Sequence, residues 1–541
     1  MSLTPLTVRR ELNQKFDALP IFKRGRATAL YHLCVALEMS TNPYTVEPDI
    51  LMAMGRHALE ASLRAIPAIY RNCPVVPATA PLQVNAAVLA EAMELVEFAY
   101  RYDQIIYCFE LADRGQFEVR YDSLAQCTSF AYASGIESDA DTLLRSHERD
   151  SLIERATEAD KAAVIQFAQD AKTELEKTII FVAPDTISYS FTPTLLDVAR
   201  GWAKVLARTW RWEFPTDLTV GNMTFGDVRK FWSAVAVTAC IHDVAHLIVA
   251  RGDAKNRPQG SIIPVRSRKE WSELIQDIAM IGVGAVSELL WWYTFDPKVS
   301  EATVPIQPLL EILPDYLAVP MSLVAHSNIE RNLQKLLNRH PNLRSFGEKV
   351  KSAKECIALT HLSSIFTGTN FAVKRTVIIE GVTDADLVVC DRASGFVLVI
   401  QHKWLIAPET VSESSSNDER LREGVTQAVE ARDVFRKNQT LLRRALELAD
   451  DQTIDRIEAL VVCRGAEQTG FLGKQAVPLV LERAFEELWE QSSRSFTKLW
   501  EILASRPDHA HAASRYEDTA ALLTVGGLRF SIPTLSLEVK L

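Results

Sequence analysis

Two apolar runs stand three residues apart late in the chain, ADLVVCD (385–391) and GFVLVIQHKW (395–404). Each is long enough for one strand, and a link as short as Arg392-Ala393-Ser394 predicts a hairpin of antiparallel neighbours. The second run holds Phe396 to Ile400 without a polar break, the pattern of a central strand buried on both faces. Yet the pair is polar at one mouth. Asp384 and Asp386 open the first strand, and Gln401, His402 and Lys403 close the second. Residues two apart share a face of a strand, so Asp384 and Asp386 are expected with Val388 and Cys390, and Gln401 and Lys403 with Val397 and Val399. A carboxylate, an amide oxygen and an ammonium are thereby predicted to share one small volume at a sheet's end.

The flanking segments predict how that hairpin is housed. A helical run, EKVKSAKECIALTHLSSIF, and a first strand, FAVKRTVIIE (371–380), precede it. A Ser- and Glu-rich stretch (407–419) reads as a solvated loop, and a helix over 420–448 follows. Then come a strand IEALVVC (457–463), a short VPLVLE (477–482) and a helix over 484–504. The order is α-β-β-β-α-β, a mixed sheet flanked by helices, assigned to residues 346–510. Residues 511–541 form an extension with a hairpin expected around Gly526-Gly527. Residues 1–345 read as a large, mainly α-helical region, with three- and four-residue apolar spacing at 50–66, 86–102 and 158–177. Thr224 is expected to cap a helix with Asp227 in its first turn, and QFEVRYD (116–122) reads as an isolated strand.

Oxygen ligands beside a lysine suit one chemistry. A hard divalent cation held by carboxylate and amide oxygens grips a phosphate oxygen and lowers the pKa of its bound water. A neighbouring lysine orients that water or offsets charge on the phosphorus. In element order, and in Asp386 followed by Gln401-x-Lys403, residues 348–505 resemble the PD-(D/E)xK, or restriction-endonuclease-like, nuclease superfamily. The resemblance implies a nuclease-like α/β fold that binds Mg2+ or Mn2+ and hydrolyses phosphodiester bonds, of DNA rather than RNA, in repair, restriction or defence. It implies Asp386 and Gln401 as metal ligands, with His402 giving its backbone carbonyl, and Lys403 as the residue that supports the attacking water. Asp384 and a preceding-helix glutamate, Glu355 or Glu348, are further ligand candidates. Gln427 is similar to a helix glutamine of exonuclease-type members, although Ala431 stands where those carry tyrosine. The commonest residue at the position of Gln401 is Glu or Asp. A glutamine carbonyl still ligates a hard cation but brings no charge.

Other features pull toward other functions. His242 and His246 lie one helical turn apart in IHDVAH, as a zinc pair requires, which gives a metallohydrolase as an alternative; a histidine pair on a packed amphipathic helix carries the same pattern. Arg331, Lys335, Arg339 and Arg344 head a run of cations that either follows a nucleic-acid backbone or lies on a solvated helix face. A third possibility is a catalytically inactive, nuclease-like protein that acts as a nucleic-acid or protein docking module; separately, the helical region is a candidate to meet a protein partner. Net charge is −10, so a nucleic-acid surface has to be a local patch. The eight cysteines include no Cys-x-x-Cys pair, and the first twenty residues lack the apolar stretch of a secretory signal. Both favour a reducing, cytoplasmic setting. The apolar windows 232–250 and 278–295 carry charged residues and are expected to be buried helices, with no membrane contact.

Overall fold

In the computed structural model the described residues are 5–40, 48–76, 83–115, 117–133, 157–183, 186–209, 212, 214–252, 262–298, 306–325, 327–368, 370–405, 411–464, 476–505 and 516–537. They form a mixed α/β protein in which helices predominate and the strands gather in several small sheets. Long helices over Arg26–Ser40, Pro48–Asn72 and Ala86–Asp113 pack on one another around Leu30, Leu37, Ile66 and Leu95. A second group centres on Phe225–Gly252, where Trp232, Trp271, Trp292 and Tyr293 are wholly buried. That helix starts as the residues dictate: Thr224 Oγ1 accepts from the Asp227 N–H (3.1 Å) and the Thr224 N–H donates to the Asp227 carboxylate (2.9 Å). Within it Phe225–Val249 is long and apolar enough to cross a membrane, but most of the segment is buried against other helices. The window 278–295 is broken rather than continuous, because Met280 takes a left-handed conformation between Arg268–Ala279 and Val283–Tyr293.

The strand expected to stand alone does not. Phe117–Asp122 pairs antiparallel with Cys127–Tyr132, and the C-terminal hairpin joins them. Its strands, Tyr516–Val525 and Leu528–Leu537, meet through Gly526-Gly527, and the second lies parallel to Cys127–Tyr132. One four-stranded sheet thus stitches the chain's last segment to its first third.

The remaining elements place the polar hairpin. Helix α1 (Ile329–Arg339) leads into α2 (Arg344–Ile365). Then follow β1 (Phe371–Ile379), β2 (Thr383–Asp391), β3 (Phe396–Trp404), α3 (Val411–Lys437), β4 (Arg456–Arg464), β5 (Leu479–Leu481), α4 (Glu482–Gln491) and α5 (Phe496–Ser505). The five strands pair in sequence order, antiparallel across β1-β2-β3 and parallel across β3-β4-β5. Asp391 nucleates the β2-β3 turn by accepting from the Ala393 N–H and the Ser394 hydroxyl. Val397, Val399 and Val461 pack under Leu421, Val425 and Phe435 of α3, whereas Leu398, Ile400 and Val462 pack on α2, α4 and α5. Helix α2 bridges the boundary expected at 345: Val350 joins the helical core and Leu362 the sheet.

Three expectations are corrected here. The Ser/Glu-rich stretch is helical from Val411, and Glu413, Asn417 and Asp418 are buried; residues 406–410 lie outside the described residues. The cause is electrostatic. Glu413 closes on Arg331 (2.8 Å), Lys335 (2.9 Å) and Arg339 (3.0 Å), three cations spaced four apart along one stripe of α1. Helix α3 also ends at Lys437, where Asn438 caps a separate helix, Gln439–Ala445. The helix expected over 484–504 is two, α4 and α5, because Ser493 and Arg494 adopt positive φ. Burial pushes the Lys335 ammonium down while Glu413 holds it up. Glu413→Gln would remove the carboxylate that Arg331, Lys335 and Arg339 share, and urea unfolding is expected to show a loss of about 3 kcal/mol. An unchanged midpoint would mean the four charges are solvated in effect.

Candidate active site

The ladder between β2 and β3 ends at Leu387↔Ile400. Beyond it the carboxylate of Asp386 replaces a backbone partner, with Oδ2 accepting from the His402 N–H at 2.7 Å. The Asp386 N–H turns to Gln401 Oε1 at 3.4 Å. On its other side the β1-β2 pairing skips Thr376 and Asp386 without a change of register. Thr376 sits there at φ +51°, a left-handed conformation that costs a β-branched residue about 1–3 kcal/mol. The backbone around Asp386 is irregular on both flanks.

Helix α3 completes the arrangement. Gln427 Oε1 accepts from Lys403 Nζ (2.8 Å) and from Gln401 Nε2 (3.0 Å), which orients both residues. One turn earlier Gly424 leaves room for the lysine stem, since a Cβ there would meet Lys403 Cε at 2.8 Å. The alternation predicted from the sequence places Gln401 and Lys403 on the α3 face, and His402 on the other. His402 directs its ring to Glu482 of α4, with Nε2 3.7 Å from Oε2.

These residues open on a cleft of about 930 Å³ between α2, β2, β3 and α3. Asp384, Asp386, Gln401, His402, Lys403 and Gln427 all line it, and so do both helix glutamates, Glu348 and Glu355. Asp384, Asp386, Gln401 and Glu355 therefore border one volume, with the three carboxylates farther apart than the group at His361. A second groove of about 840 Å³ shares Asp384 and Gln427. Burial raises the Asp386 carboxyl above the usual carboxylate range; the His402 N–H and the Lys403 ammonium pull it down, and Asp384 adds to the rise.

The cations divide differently from the sequence expectation. Arg331, Lys335 and Arg339 face Glu413 rather than a phosphate track, and Arg331 is 3% exposed. Arg344 is exposed at the start of α2. Lys354 is buried against Gln334 Oε1 (2.6 Å), with its ammonium over the Trp404 ring (4.9 Å). The exposed cations on the cleft are Lys351, Arg375 and Arg420. Lys351 belongs to the cation run visible in the sequence, but nothing local marked Arg375 or Arg420. Elsewhere, His242 is buried with Nδ1 3.3 Å from the Tyr189 hydroxyl. Among the described residues, the group of three ligand-type side chains within metal-binding reach of one another contains neither His242 nor His246.

The Asp386 shift has a sign that can be checked. The folded state holds this proton more tightly than the unfolded chain, so stability falls as pH rises from the ordinary carboxylate value through the raised one. Asp386→Asn removes that penalty. In EDTA the variant is expected to melt above the parent at neutral pH, the gain vanishing at a pH below the carboxylate range. A lower melting temperature at neutral pH would contradict the burial argument.

Compared with protein-family models, curated proteins and solved structures, the chain has no match among them.

Proposed function

We propose that this protein is a metal-dependent nuclease of the PD-(D/E)xK type, hydrolysing phosphodiester bonds of DNA in a cytoplasmic setting, in the service of repair, restriction or defence. The observation that carries the reading is the convergence of Asp386, Gln401 and Lys403 on one cleft, with Gln427 Oε1 holding the last two. The donor set fits a hard cation: its atoms are oxygens, and Asp386 is a half-buried carboxylate that gains from added positive charge. Asp386, Asp384 and the Gln401 carbonyl would hold Mg2+ or Mn2+, with Glu355 at the rim. When bound, the ion supplies Lewis acidity toward a phosphate oxygen and an acidified water.

The chain's own residues do the rest. Gln427 fixes the Lys403 ammonium at the cleft, where it orients a water or neutralises charge on a phosphate oxygen. The His402 N–H holds the Asp386 carboxylate in one orientation. Lys351, Arg375 and Arg420 offer three cations to a sugar-phosphate backbone, on a rim that also carries the exposed Glu348, Glu355 and Glu423. The helical region contributes Gln334, Leu337 and Asn338 to the cleft wall, and so stands where substrate or a protein partner can be selected.

A second reading, a docking module of the same fold without cleavage, has its own observation. Gln401 brings no charge, and its amide is engaged by Gln427. One experiment separates the two. The full chain is incubated with supercoiled, linear and single-stranded DNA and with RNA, in Mg2+, Mn2+ or EDTA. The proposal expects cleavage that EDTA abolishes and that Asp386→Asn and Lys403→Ala each lower by about 100-fold or more. Gly424→Ala, which pushes the lysine stem, is expected to slow cleavage while leaving the helix intact. Binding without metal-dependent cleavage would replace the proposal with the docking module.

A further inference from the structure

On the opposite face of β3 from the cleft, three metal-ligating side chains meet beside a buried histidine. His361 Nε2 of α2 and one carboxylate oxygen each of Glu482 and Glu486 lie within 4.8 Å of one another. The two glutamates are one turn apart on α4, so they present to the same side. His402 of β3 stands behind Glu482, its Nε2 3.7 Å from Glu482 Oε2. His361 and Glu486 form an open rim, with His361 Nε2 2.7 Å from Glu486 Oε1. The floor is buried: Glu482 is 6% exposed and His402 is 8% exposed.

That floor is unsatisfied. Neither Glu482 oxygen has a hydrogen bond, and neither does His402 Nε2. Their nearest polar neighbours stand back, with Arg464 Nε at 3.5 Å and His361 Nε2 at 3.7 Å from the Glu482 oxygens. Buried polar atoms without partners call for a missing ligand. Separations of this size are too long for hydrogen bonds. They are close to the spacing of about 3.3 Å between two ligand atoms on one tetrahedral ion with bonds of about 2.0 Å.

We infer that His361, Glu482 and Glu486 form a second metal site, distinct from the cleft. One imidazole and two carboxylates are a mixed nitrogen and oxygen donor set, which suits Zn2+ or a neighbouring first-row ion. Arg464 leaves one net negative charge among the ionised side chains, enough to favour a dication while tempering its affinity. The ion's effect is structural. It ties α2 to α4 through Glu482, which the His402 ring faces, and the His402 backbone N–H is the group that holds Asp386. Occupation of this site therefore stiffens the residue that orients the cleft carboxylate.

The test uses the full chain carrying Asp386→Asn, so that the cleft lacks its main ligand, and titrates Zn2+ by calorimetry with melting curves in parallel. One Zn2+ is expected to bind and to raise the melting temperature. His361→Ala in the same background is expected to weaken binding by about 100-fold and to abolish the thermal shift. Glu486→Gln, at the solvent-facing rim, provides a second variant whose folding is checked by circular dichroism. No Zn2+ binding in the Asp386→Asn chain, or binding that both rim variants leave unchanged, would overturn the inference and leave these side chains as an ion-pair network. Neither outcome bears on the cleavage proposal, which Asp386→Asn has already removed from the measurement.

Discussion

The end of the β2-β3 ladder is the constraint on which the cleft depends. While backbone groups pair, the two strands are an ordinary buried hairpin, with Val388 opposite Val399 and Cys390 opposite Val397. Where pairing stops, the freed His402 N–H has to find an acceptor, and the Asp386 carboxylate supplies it. That one bond draws a half-buried charge to the sheet's edge, beside a lysine on the neighbouring strand. The left-handed Thr376 on the outer flank is the strain that accompanies it.

Helix α3 turns a strand end into an organised site. Its middle reaches down with Gln427 and makes room for Lys403 at Gly424. Its first turn is anchored by Glu413 in the cations of α1, and Phe435 is buried beside the sheet. The helical region is therefore fastened to the same helix that positions the lysine. A second fastening is the stack of Phe214 on Trp404, one residue past Lys403, with ring centroids 5.7 Å apart. A partner that shifted α1 would act on the Glu413 contact.

The strands were legible because their signal is local. Phe396 to Ile400 carry a continuous apolar run, and the Asp391 turn has the residues such a turn needs. The facing of Lys403 and Gln401 followed from a period of two. The stretch over 411–419 was misread because its composition is that of a solvated loop, and its helix exists through ion pairs to residues some eighty positions earlier. Arg331, Lys335 and Arg339 stand four apart, so their common stripe was visible, but the acid they face was not. The His361 group is the extreme case: its helices are more than a hundred residues apart, and only the four-residue spacing of Glu482 and Glu486 left a mark in the sequence.

The central claim is that an ion belongs between the mouths of β2 and β3. Anomalous diffraction from crystals of the full chain soaked in Mn2+ measures this directly. The account predicts a manganese peak in the cleft, with oxygens of Asp386 and Gln401 at about 2.1–2.3 Å and Lys403 beside it without touching the ion. A map with no peak at Asp386, or with manganese confined to the face of β3 that carries the His402 ring, would contradict it.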